Sequence, residues 1–163
     1  MLTIGLFLLK LPALEPLVER FCELLAALTQ TLMATFDARI TVQGNIIRVY
    51  TEGIAIEVSK VCSGLTQLLA ISAAILVFPS HWQARIKAVV LAALFVQSIN
   101  IIRLIVVFYS QIAFSRHTFD IIHEQVWPLL LSFLCAVFFL QWALQQLSAH
   151  RLMANDQAYR EIS

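Results

Sequence analysis

Three apolar stretches, each about as long as a bilayer is thick, occupy most of the second half of this 163-residue chain. They cover residues 61–78 (VCSGLTQLLAISAAILVF), 88–109 (AVVLAALFVQSINIIRLIVVFY) and 126–147 (VWPLLLSFLCAVFFLQWALQQL). A hydrocarbon core of about 30 Å is crossed by roughly 20 mostly apolar helical residues, so each is expected to be a membrane span. Composition agrees. Only 13% of the residues are charged and 60% are hydrophobic, whereas a soluble domain carries about 25% charged residues. So little charge cannot cover a water-facing surface, and lipid is the expected solvent for much of the chain. A net charge of +1 leaves no basic footprint for nucleic acid. Cys22, Cys62 and Cys135 fall in no CxxC or metal-ligand spacing. Neither a disulfide framework nor a metal site is implied, and no cofactor is expected.

The chain reads as one domain, residues 1–163. The opening MLTIGLFLLKLPALEPLV is apolar but short, with Lys10 near its middle and Pro12 and Pro16 behind it. A signal peptide is the competing reading. No small-residue cleavage site is evident and further spans follow, so a retained first helix is expected. Residues 17–36 keep Glu19, Arg20 and Glu23 in their first half, the pattern of a partly amphipathic helix at the interface. From 39 to 58 the period changes to alternation, with Ile40/Val42 and Ile54/Ile56/Val58 around a Gly44-Asn45 turn. That predicts a small extramembrane β-hairpin or a three-strand element. The core of three spans covers 61–147, and the polar tail 148–163 is expected to fray. The fold class is thus an all-α membrane protein of about four spans, with an amphipathic helix and a small β element.

The loops between the strong spans, PSHWQARIK and SQIAFSRHTFDIIHEQ, are short, so consecutive spans run antiparallel. Following the chain through them puts Cys62, Arg103 and His123 on one membrane face. Arg103 lies inside a span, where arginine costs roughly 2.5–3.5 kcal/mol at the helix centre. Gln97, Asn100 and Arg103 recur every three residues and form one polar stripe on an apolar rod. The plain reading is an arginine that snorkels to the interface. The functional one is a cation facing the bundle interior, buttressed by Asn100. Cys62 differs from Cys22 and Cys135, which read as inert packing, because Ser63-Gly64 follows it at the mouth of a span. Gly64 leaves room for close backbone approach. His81, His117 and His150 read as solvated surface. His123 stands at a helix entrance where a proton can exchange with water, and from its position alone it is equally a surface or a functional residue.

Two of these segments and His123 resemble the exosortase/archaeosortase family. AIEVSKVCSGL (55–65) is similar to the signature in which a short strand leads into Cys-Ser-Gly and a membrane helix. SINIIRLIVVF (98–108) is similar to the second signature, Asn-x-x-Arg within a later span, and His123 before the last span matches the third. The resemblance covers about residues 40–145 and points to a compact subfamily, since many members carry more spans. It implies a membrane-embedded cysteine transpeptidase in which Cys62 is the nucleophile, Arg103 supports charge and His123 transfers protons, with Ser63, Gly64 and Asn100 in support. The implied partners are exported proteins whose C-terminal sorting signal combines a short motif, one span and basic residues. The site is then expected on the non-cytoplasmic face of a bacterial inner membrane. Charge alone leaves orientation near a tie, with Arg85, Lys87, Arg151 and Arg160 on one side and Arg39, Arg48, Lys60 and Arg116 on the other.

Two other readings compete. A non-catalytic assembly subunit would use the polar stripe as helix glue. A thiol or haem redox protein would want paired cysteines or histidines within facing spans, and all four histidines lie outside them.

Overall fold

The computed structural model describes residues 14–49 and 53–162. Helix α1 (Glu15–Ala34) opens with proline in its first turn, where a missing N–H costs no hydrogen bond. It buries Val18, Cys22, Leu25, Ala26, Thr29 and Met33, a stripe at helical spacing, and turns Glu19, Arg20 and Glu23 to the surface. The expected amphipathic helix is present. Most of the expected first span lies outside the described residues, and its last residues belong to α1 instead.

The β element is a three-stranded antiparallel sheet, not a lone hairpin. Strands β1 (Ile40–Gln43), β2 (Ile46–Val49) and β3 (Ile54–Glu57) stand in that order. A two-residue Gly44-Asn45 turn closes the first pair, with Gly44 at φ 59°. The register aligns Ile40 with Val49 and Ile47 with Ile56. Alternation therefore gathers one apolar face, which packs on α1. Gln30 Nε2 donates to the Ile40 carbonyl and ties helix to sheet.

After β3 a 3₁₀ turn (Lys60–Ser63) leads into α2 (Leu65–Val77). This helix is shorter than the apolar stretch that announced it. Gly64 at φ 73° delays its start, and Pro79 forces Phe78 to be extended at its end. Thirteen residues rise only about 20 Å. Among the described residues, two helical stretches are long and apolar enough to cross a membrane, Trp82–Gln111 and Arg116–Ser148, and four spans are not found.

The first lies in α3 (Trp82–Ala113), which outruns the expected span at both ends. The segment expected as the second loop is mostly helical: α4 (Arg116–Ile121), a π-helical turn (Ile122–Val126) and α5 (Trp127–Ile162) follow without a break. Ser115 starts this run by accepting from Thr118 N–H at 3.4 Å. The tail continues as helix through Ile162, since no glycine or proline interrupts it.

Two buried clusters result. One joins Ile71 and Ile75 of α2, Ala88, Ala92 and Val96 of α3, and Cys135 of α5. Small residues there let the helices approach closely. The other joins α1 and the sheet to Cys62 and to Leu104, Val107 and Phe108 of α3. The residues expected to act together lie where α1 and the sheet meet the long helices.

Candidate active site

The turn that carries Cys62 is held by five polar contacts. Cys62 N–H donates to the Ser59 carbonyl at 2.9 Å. Ser63 Oγ donates to the Lys60 carbonyl at 2.7 Å and accepts from Leu65 N–H at 3.4 Å, which anchors the start of α2. Lys60 is ion-paired with Glu15 of α1. From α3, Asn100 Nδ2 donates to the Cys62 carbonyl at 3.0 Å. Asn100 has no exposed surface. Its side chain packs on Gly64 so closely that a Cβ there would stand 3.3 Å from Asn100 Cγ.

Gly64 is thus constrained twice, by its left-handed φ and by Asn100. Gly64→Ala is expected to cost about 1–2 kcal/mol in backbone strain alone, lowering the Tm in detergent by roughly 2–8 °C and displacing Cys62. Thermal unfolding and thiol labelling check this. An unchanged Tm with unchanged Cys62 reactivity would show that the turn does not depend on the glycine.

One helical turn beyond Asn100, Arg103 is buried, with 4% of its surface exposed, so it does not snorkel. Its Nη2 donates to Cys62 Sγ at 3.8 Å. On the thiol's other side, His123 Nε2 lies 3.5 Å from Sγ. His123 belongs to the π-helical turn, where the Trp127 N–H reaches back to the Ile122 carbonyl. Such turns widen a helix locally and are frequent at functional sites.

A thiol between an imidazole and a guanidinium is easily ionised. Burial pushes the Cys62 thiol up, but hydrogen bonds from His123 and Ser59 and the Arg103 charge outweigh it and bring it down to about 7. At pH 7 about half of it is thiolate, against a few per cent for a free cysteine. The other two cysteines differ. Burial, followed by the nearby Cys62 charge, holds the Cys22 thiol above its usual range. Cys135 lies in the other buried cluster.

Cys62, Arg103, His123, Asn100, Gly64 and Ser63 therefore come together, a contact that the order of the helices permitted but did not dictate. Cys22, read together with Cys135 as inert packing, is not remote from the site: it is buried in the same cluster as Cys62, because α1 folds back over the turn. Gln97, the third member of the polar stripe, is half-buried, and its amide finds no hydrogen-bond partner among the described residues. Two neighbours were missed. Ser59 precedes the turn, and Phe119 stacks on His123. The four-residue spacing from Phe119 to His123 was visible but lay in a segment read as loop. Among the described residues, no three His, Cys, Asp or Glu side chains cluster so as to hold a metal ion.

The sequence model of the transmembrane exosortases matches residues 1–140. The chain belongs to the transmembrane exosortase family. It is accordingly a membrane protein, and two of its helices are long and apolar enough to cross a bilayer. No curated protein and no solved structure matches it.

Proposed function

We propose that this exosortase-family protein is a cysteine transpeptidase that cleaves C-terminal sorting signals of exported proteins through a thioester. The observation that carries the reading is the position of Cys62 Sγ, 3.5 Å from His123 Nε2 and 3.8 Å from Arg103 Nη2. The Cys62 thiolate attacks the scissile carbonyl carbon, and its electron pair forms the C–S bond. Arg103, or N–H groups of the turn, receives the oxyanion that develops. As the C–N bond breaks, His123 gives its proton to the departing amine. An acceptor amine, hydroxyl or water then attacks the thioester, loses its proton to His123 and releases the Cys62 thiolate. A cavity of about 330 Å³ lined by Glu19, Cys22, Asn45, Glu57 and the residues from Val58 to Val61 gives substrate chain room beside the turn. The substrate is an exported protein ending in a short motif, one apolar span and basic residues, met on the non-cytoplasmic face of a bacterial inner membrane.

The reading is tested by co-expressing the protein with a reporter that carries such a signal and weighing the reporter by mass spectrometry. Loss of the C-terminal segment, with an added mass when an amine acceptor is supplied, is the expected result. A reporter that stays full length in the presence of the membrane-inserted protein would overturn it.

The pH dependence follows from the thiol. Its value is lowered, so about half of it is thiolate at pH 7, more above that value, and the thiolate is lost as pH falls below it. Alkylation of Cys62 is expected to have its midpoint near pH 7, and processing should fall on the acid side. A midpoint at or above pH 8.5, the range of a free thiol, would refute the activated pair.

A further inference from the structure

Phe119 has no part in the chemistry outlined above, yet it makes the closest ring contact with the histidine that takes part. The two rings are nearly parallel, 9° apart, with centroids separated by 5.5 Å. Phe119 belongs to α4, four residues before His123, and is partly buried against the cluster that contains Cys62. One side chain therefore touches the imidazole and is itself clamped by the core. We propose that Phe119 is a positioning residue, whose ring fixes the plane of the His123 imidazole so that Nε2 stays aimed at Cys62 Sγ.

The physical argument has two parts. An imidazole on a partly exposed turn rotates about its χ angles, and rotation of the ring swings Nε2 away from a sulfur that it meets at only 3.5 Å. A parallel neighbour removes that freedom, since tilting the ring would break the stack. The face of a phenyl ring also carries negative charge density, and a cation within about 6 Å of its centroid is attracted to it. The Phe119 ring, 5.5 Å from the imidazole, lies within that range. The π-helical turn keeps both residues on one face while the chain passes from α4 into α5. The other groups that act on the thiol are Arg103 from α3, Cys22 from α1 and Ser59 beside it in the chain.

The inference rests on the Cys62–His123 pair proposed above, and its main readout needs no substrate. Alkylation of Cys62 is followed across pH in membranes by peptide-resolved mass spectrometry. Phe119→Leu keeps an apolar side chain but has no ring. Its midpoint is expected about one pH unit higher than wild type, and its kcat on a signal-bearing reporter about tenfold lower with KM little changed. Phe119→Tyr keeps the ring, and its hydroxyl can enter the cavity of about 340 Å³ that Phe119 borders with Gln111, Arg116 and Asp120. It is expected to restore both values. Should Phe119→Leu be lost from the membrane, Phe119→Met, unbranched and flexible, takes its place. An unchanged midpoint in either ring-less variant, or a Phe119→Tyr midpoint displaced as far as theirs, overturns the proposal. A displaced midpoint in a protein that never processes a reporter still upholds the positioning role and overturns only the transpeptidase reading.

Discussion

Replacing Cys62 with serine is expected to abolish processing, lowering it by at least about a thousandfold, while Cys135→Ala processes normally. Serine keeps the shape of the side chain, and the turn that holds it depends mainly on backbone and neighbouring groups: Cys62 N–H to Ser59, Ser63 Oγ to Lys60, and Asn100 to the Cys62 carbonyl. A packing role would therefore scarcely register the change. A nucleophile would, because the hydroxyl does not ionise near neutral pH even with His123 and Arg103 beside it. The assay is a gel shift of the signal-bearing reporter with wild type, Cys62→Ser and Cys135→Ala, at matched protein levels in the membrane. Full processing by Cys62→Ser would mean that another group attacks the substrate, and the family membership would then describe a fold without this activity. Equal loss in both variants would point to a damaged assembly and favour the scaffold reading.

Arg103→Lys is expected to lower processing about a hundredfold with membrane insertion intact. Arg103 is 4% exposed, donates to Sγ from Nη2, and its Nε has no hydrogen-bond partner among the described residues. That Nε is a fixed donor still to spend when an oxyanion forms nearby. Lysine offers a point charge on a flexible stem and no planar fork. The measurement is kcat against KM on the reporter, with Arg103→Ala as the reference for total loss. Near-normal kcat in Arg103→Lys beside an inactive Arg103→Ala would show that only a charge is required. Near-normal kcat in both would remove Arg103 from the mechanism.

Much of this architecture could be read before any coordinates, because it depends on solvent and period. Charge content dictated a lipid environment. Alternation over 39–58 and helical spacing over 17–36 dictated a small β element and an amphipathic helix, and the structure buries Ile40 and Ile47 of the one against Cys22 and Met33 of the other. The order of the helices dictated that Cys62, Arg103 and His123 share a face, since a short loop can only reverse the chain. Asn100 and Arg103 were recognisable because polar groups three residues apart on an apolar rod have to face something other than lipid.

Other features came from contacts between segments far apart in sequence, which no local period encodes. The third strand joined the sheet because Ile56 found Ile47 across it. Hydropathy counted residues 61–64 with the span, whereas Gly64 and the packing of Asn100 on it made them a separate turn. Helix α1 folded back over that turn and brought Cys22 into the cluster of Cys62, although forty residues of chain separate them. The segment before the last span looked like a loop because it is polar. It became α4 and a π-helical turn because one of its faces, with Phe119, could be buried against the core. The sequence by itself determined which side chains can reach one membrane boundary. Only the tertiary structure decided that an imidazole and a guanidinium stand within 4 Å of one sulfur, because that distance is set by how closely four separate segments pack.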